Sequence, residues 1–182
     1  MSAARRSAVV LAALCVGAAA ATAGAVPRED RPVPDEVRGC KTRGDSNRPA
    51  RPPATGAVAI GPLLIWPSIR TVWPIRNASW PYATKAPKVL PARVRATLAI
   101  APEALGTAGL WSMHGGYVSS VRFVACRERE PSWGYRGTVG KYTVFPFGFA
   151  LVRRSACVPM EVWLDTEAAP HRLLVPVGRS AC

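Results

Sequence analysis

Histidine and acidic side chains are scarce. Two histidines and 11 Asp plus Glu stand against 24 Lys plus Arg, so the groups that carry most acid–base and metal chemistry are in short supply. There is no H-E-x-x-H, no phosphate-cradling Gly loop, no G-x-S-x-G elbow and no acidic calcium loop. Those absences remove the signatures of zinc peptidases, P-loop enzymes, α/β-hydrolases and EF-hand sites. No C-x-x-C pair occurs either, which takes away zinc knuckles and thioredoxin-like redox motifs. Nor does any window of useful length show a helical apolar period.

The acid–base candidates that are present stand alone. His114 in "MHGGY" could be set against Ser119 or Ser120, but a triad also needs an orienting carboxylate. His171 in "APHRL" reads as an exposed turn residue. Paired carboxylates could cleave glycosides, and residues 56–182 hold six acids: Glu103, Glu128, Glu130, Glu161, Asp165 and Glu167. Glu128 and Glu130 lie in the charged loop "CREREPSWGYRG", while Glu161 and Asp165 read as the wet face of a strand. No catalytic residue, metal site or cofactor is expected from this set. "NAS" at Asn77 matches a glycosylation sequon.

The first 25 residues read as an address. Arg5 and Arg6 precede an uncharged run from Ala8 to Val26 that ends in small residues. That is the layout of a secretory signal peptide. Cleavage is expected after Ala23 or Ala25, and either cut removes Cys15; the rival reading is an uncleaved membrane anchor. Leu14 before Cys15 argues against a lipoprotein signal. Four cysteines then remain, Cys40, Cys126, Cys157 and Cys182. In an oxidising compartment an even set reads as two disulfides, with three connectivities open.

Residues 26–55 change composition. They hold six prolines, twelve charged residues, no aromatic and no aliphatic larger than valine. Such a stretch buries too little apolar surface to offset its conformational entropy, so a disordered tether is expected. Its "RGDS", Arg43 to Ser46, reads as chance in a segment rich in Arg, Gly and Asp. Leader and tether each carry +2 of the formal +13, which leaves +9 on residues 56–182. A field of that sign favours anionic partners, with an anionic cell-wall polymer or an envelope protein ahead of nucleic acid. A membrane contact is expected only through an uncleaved leader. With 20 Arg to 4 Lys, composition drift in a GC-rich genome also accounts for the charge.

Residues 56–182 read as one β domain. "RVRATLAI" alternates Val94, Ala96, Leu98 and Ile100 with Arg93, Arg95, Thr97 and Ala99, the period of a half-buried strand. "CVPMEVWLD" alternates Val158, Met160, Val162 and Leu164 with Glu161, Trp163 and Asp165. A turn at "TEAAPH" and a return strand "RLLVPVG" complete a hairpin. "GAVAIGPLLI", "SVRFVAC", "KYTVF" and "FGFALV" add further strands. The expectation is all-β: a single antiparallel β-sandwich of immunoglobulin-like size, stapled by disulfides.

One stretch is unusual. "WPSIRTVWPIRNASWP" places Trp-Pro at 66, 73 and 80, seven residues apart, with Arg70 and Arg76 between. A residue before proline is pushed out of the α region, so the heptad is no coiled coil. Seven is an odd step in a strand, and no regular extended form aligns all three rings. Residues 66–88 therefore read as a long proline-stiffened excursion, and such loops are uncommon unless functional or disordered. Trp66, Arg70, Trp73, Arg76 and Trp80 are the candidate binding residues, with Trp133 and Arg136 beside them, because indole and guanidinium groups bury large area at low entropic cost. The competing account makes the tryptophans lids on the sandwich.

"GPLLIW", "VRFVAC", "FGFALVRRSACVPMEVWLD" and "VPVGRSAC" resemble small secreted proteins found widely in actinobacteria. The specific part is the Cys-Val-Pro strand followed by a hairpin to a terminal Gly-Arg-x-x-Cys. The resemblance implies export and a β domain and supplies no chemistry; the Trp-Pro triplet is outside it. On that layout Cys126–Cys157 would join two strands and Cys40–Cys182 would pin the chain ends, with Cys157–Cys182 as the main competitor. Function is expected to be non-catalytic binding of an envelope polymer or protein. The alternatives are a small extracytoplasmic hydrolase with an undisplayed site and a structural envelope protein.

Overall fold

The alternating segments fold as strands. The computed structural model describes residues 31–40, 55–112, 116–131 and 140–182. The strands in chain order are β1 (Glu36–Gly39), β2 (Val58–Ile60), β3 (Leu63–Ile65), β4 (Trp73–Pro74), β5 (Tyr82–Lys85), β6 (Lys88–Pro91), β7 (Arg95–Ile100), β8 (Ala108–Ser112), β9 (Gly116–Val118), β10 (Ser120–Val124), β11 (Tyr142–Phe145), β12 (Phe147–Leu151), β13 (Ala156–Leu164) and β14 (His171–Val177). Short 3-10 turns at Pro67–Arg70 and Pro102–Ala104 are the helical elements among the described residues. No helix among them is long and apolar enough to cross a membrane.

Three sheets form, in the orders β1-β10-β7-β13-β14, β11-β6-β3-β2 and β4-β5-β12-β8-β9. The second and third belong to one bent ribbon. Residues 82–85 pair antiparallel with 148–151, and 88–91 with 142–145. Between these ladders the Ala86 N–H donates to the Phe147 carbonyl at 2.8 Å. Pro87 and Pro146 have no N–H to offer, so the regular ladder breaks there and the ribbon turns. The first sheet packs its inner face on the bend, with the Phe123 ring 4.9 Å from Phe145 and 5.4 Å from Phe147. Leu98, Ile100, Val121, Val158, Met160 and Val162 join them in one buried cluster. The fold is the all-β, disulfide-stapled sandwich that the alternation implies.

Several expectations are corrected. Part of the 26–55 segment is ordered: β1 pairs parallel with β10, Glu36 opposite Val121 and Gly39 opposite Val124. Its attachment comes from backbone pairing and polar anchors, which an apolar-burial criterion does not see. The leader, the rest of the tether, the RGDS sequence, His114, Trp133 and Arg136 lie outside the described residues. The strand faces expected to be wet are largely covered as well. Thr97 and Ala99 on β7, and Glu161 and Trp163 on β13, are buried. Arg31 covers Trp163, its guanidinium 5.9 Å from the indole centroid. The 66–88 excursion is shorter than expected, because β5 and β6 occupy its second half.

The disulfides are Cys40–Cys126, with Cα atoms 5.0 Å apart, and Cys157–Cys182, at 5.7 Å. The suggested Cys126–Cys157 and Cys40–Cys182 pairs are therefore wrong, and strand order is the reason. β7 lies between β10 and β13. Two strand spacings are roughly 10 Å, beyond the ~7 Å that a disulfide bridges. Parallel pairing instead delivers Cys40 to Cys126. Cys157 sits opposite Pro176 in the terminal hairpin, within reach of the chain end.

Candidate binding face

The outer face of the third sheet collects aromatic rings over small residues. Alternation sends Phe147, Phe149 and Leu151 of β12, and Ala108 and Leu110 of β8, into the core. Gly148 and Ala150 of β12, and Gly109 and Trp111 of β8, take the opposite side. In register across the strands run Lys85, Gly148, Trp111 and Tyr117, and beside them Trp73, Ala83, Ala150 and Gly109. The floor is thus Ala83, Ala150, Gly109 and Gly148.

The small floor leaves room for indoles. A methyl group on Gly109 would lie 3.5 Å from the Trp80 ring, so Trp80 rests on that glycine. At Gly148 a methyl group would meet the Thr84 carbonyl at 1.9 Å and the Trp111 ring at 2.9 Å, so only glycine fits. Trp73 meets Trp111 edge to face, with centroids 6.5 Å apart. Trp80 lies over Tyr117 at 5.9 Å with a 31° tilt. Both are favoured aromatic geometries. All four rings are half-buried and Lys85 is exposed at the rim.

Trp80 is held by a closed loop. The Ile75 N–H donates to the Pro81 carbonyl at 2.8 Å. The Asn77 carboxamide oxygen accepts from Ser79 N–H at 3.0 Å and Trp80 N–H at 2.9 Å. Arg76 is exposed on this loop, and Arg70 is exposed on the 3-10 turn that precedes it. Trp66 stands apart: its N–H donates to the Pro87 carbonyl, its indole Nε1 is buried without a partner, and no ring among the described residues pairs with it. The platform is therefore built by Trp73 and Trp80 with Trp111 and Tyr117, not by the three Trp-Pro tryptophans. The overlooked signal is the alternation in "AGLWS", which puts Gly109 and Trp111 on one face.

Other candidate chemistry is engaged in structure. The Asp35 carboxylate accepts from Ser119 Oγ at 2.7 Å, Ser119 N–H at 2.8 Å and Ser120 N–H at 2.9 Å. The Ser119 hydroxyl bond leads in holding its pKa below the ordinary value. Both serines thus anchor β1. Glu161 binds Arg172 at 2.7 Å and accepts from Trp163 Nε1 at 3.1 Å, beside a groove of about 480 Å³ that Pro102, Glu103 and Leu174 help line. Glu161 is buried rather than on a wet face, and its bonds to Arg172 and Trp163 explain why. Asp165 bridges Arg31 and Arg122; His171 is not an exposed turn residue but the half-buried first residue of β14, opposite Val162 and 2.6 Å from Glu167. Cys40, Cys126 and Glu130 cluster within 4.8 Å, but both sulfurs are in a disulfide, so neither offers the thiolate a metal would need.

No protein-family model matches the chain, and no curated protein or solved structure is detectably similar to it.

Proposed function

We propose that the protein is an exported, non-catalytic β domain that binds a cell-envelope polymer or envelope protein through the outer face of its third sheet. The observation that carries this reading is the four-ring surface of Trp73, Trp80, Trp111 and Tyr117 on a floor of Gly and Ala. Half-buried indoles present flat apolar area whose orientation is already fixed, so little side-chain entropy is lost on contact. Sugar C–H faces and planar side chains both suit such a surface, because the ring face carries partial negative charge. The basic balance of the chain, with Lys85 in line with Trp111, favours a polymer bearing phosphate or carboxylate. Two disulfides fit an oxidising, extracytoplasmic setting.

The test is a pull-down of oxidised residues 26–182 on peptidoglycan with and without attached anionic polymers, over a salt series. Trp73→Ala/Trp80→Ala is run beside the parent. Binding that weakens with salt and is lost in the folded double variant supports the reading. Equal binding by parent and variant overturns it.

A further inference from the structure

We propose that residues 31–40 are an exchangeable strand, and that the β10 edge with Ser119, Ser120, Asp165 and Cys126 is a docking site for that strand from a second copy of this chain. β1 makes the one parallel strand ladder among the described residues. Apart from Cys40, which meets Cys126, no residue of 31–40 belongs to the buried apolar clusters. Val33 and Val37 are instead 87% and 57% exposed. Release costs the burial of Arg38 and Cys40 and the cover that Arg31 gives Trp163, but it removes no member of the main apolar cluster, so the segment can leave and re-dock while that cluster stays whole.

Recognition is polar and specific. Asp35 takes three hydrogen bonds from Ser119 and Ser120. Ser120 Oγ donates to the Val33 carbonyl at 3.1 Å. Arg31 pairs with Asp165 and donates to the Leu164 and Glu167 carbonyls at 2.7 and 3.1 Å. The backbone ladder and Cys40–Cys126 complete the register. Every one of these contacts can be made between two copies as well as within one.

Chain order opens the opportunity. Cys40 precedes Cys126 by 86 residues, so the strand leaves the ribosome well before its acceptor exists. Fourteen residues, 41–54, join it to the rest of the chain, and covalent geometry lets them span up to about 50 Å. Reciprocal exchange closes into a two-fold dimer that leaves no acceptor edge unfilled. The disulfide then fixes the choice. Cys40 and Cys126 thiols react with oxidised glutathione: the protein S–S bond forms, the glutathione S–S bond breaks, and two glutathione thiols leave with the two protons. Within one chain this locks a monomer; between chains it locks a dimer.

The experiment uses residues 26–182 carrying either Cys40→Ser or Cys126→Ser, mixed with oxidised glutathione, with Cys157–Cys182 verified intact. Peptide mapping should find a Cys126-to-Cys40 heterodimer in excess of both homodimers. Adding Asp35→Ala to the strand-donating chain should lower its yield about tenfold, as expected for loss of hydrogen bonds to a charged group. In parallel, reduced parent protein reoxidised at rising concentration should give a rising fraction of disulfide-linked dimer. Hetero- and homodimers in statistical proportions that ignore Asp35→Ala would overturn the proposal. So would monomer alone at every concentration.

Discussion

Lys88→Met is expected to stabilise the protein and remove a pH dependence that the parent shows. Lys88 lies on β6 opposite Phe145 and Ile65 and is fully buried. Its Nζ is 4.1 Å from the Phe149 ring centroid and 5.7 Å from Phe147, and it has no hydrogen-bond partner among the described residues. Burial pushes its pKa well below the ordinary 10.5, because the ammonium loses water and gains no counterion. Two ring faces recover about 2 kcal/mol when the amine is charged, less than the several kcal/mol that desolvating an ion costs.

From the ordinary value down to the folded value, the unfolded chain therefore holds a proton that the folded chain does not. Stability must rise with pH across that window, at up to about 1.4 kcal/mol per pH unit. Below the folded value the penalty is constant, and above 10.5 it vanishes. Methionine has similar length and no charge, so Lys88→Met should gain about 1–4 kcal/mol at neutral pH and lose the alkaline slope. Urea unfolding of both oxidised proteins from about pH 7 to about pH 10, followed by tryptophan fluorescence, reads this out. Parallel slopes, or a variant less stable at every pH, would refute the reasoning and show that the amine has a favourable partner.

Gly148→Ala forces a methyl group against the Thr84 carbonyl at 1.9 Å; it should cost about 3 kcal/mol or more by urea unfolding and loosen Trp111. Cys182→Ser opens a 25-residue loop and should cost about 3–4 kcal/mol on the loop-entropy account, read by thermal melting against the parent. Asp35→Asn should flatten the acid limb of stability. The Ser119-bonded carboxylate has a lowered folded pKa, so its contribution is present above about pH 4 and is lost as pH falls through the folded value; unfolding scans below pH 4 would show the difference.

The sequence made the strands legible wherever one face meets the core. Ala96, Leu98 and Ile100, and Val158, Met160, Val162 and Leu164, are buried as their alternation requires. It did not make β1 legible, because Glu36, Val37 and Arg38 dock through backbone and polar groups rather than apolar area. Strand order is long-range: the cysteine pairs follow from β7 lying between β10 and β13, which no local pattern displays. The same limit governs the aromatic face. Trp73 and Trp80 stand out as a pattern, but their partners Trp111 and Tyr117 arrive from strands 38 and 37 residues further along the chain. Lys88 carries no local sign of burial, since its place inside the sandwich depends on the bend at Pro87.

The central claim, that the outer face of the third sheet is the binding surface, is tested most directly with Trp111→Ala beside Trp66→Phe. Trp111 lies on the face and outside the Trp-Pro pattern; Trp66 belongs to the pattern and lies off the face. Affinity for anionic envelope polymer should fall at least about tenfold for folded Trp111→Ala, as for loss of an interfacial tryptophan, and stay at the parent level for Trp66→Phe. Parent-like binding by Trp111→Ala, or loss confined to Trp66→Phe, would contradict the account.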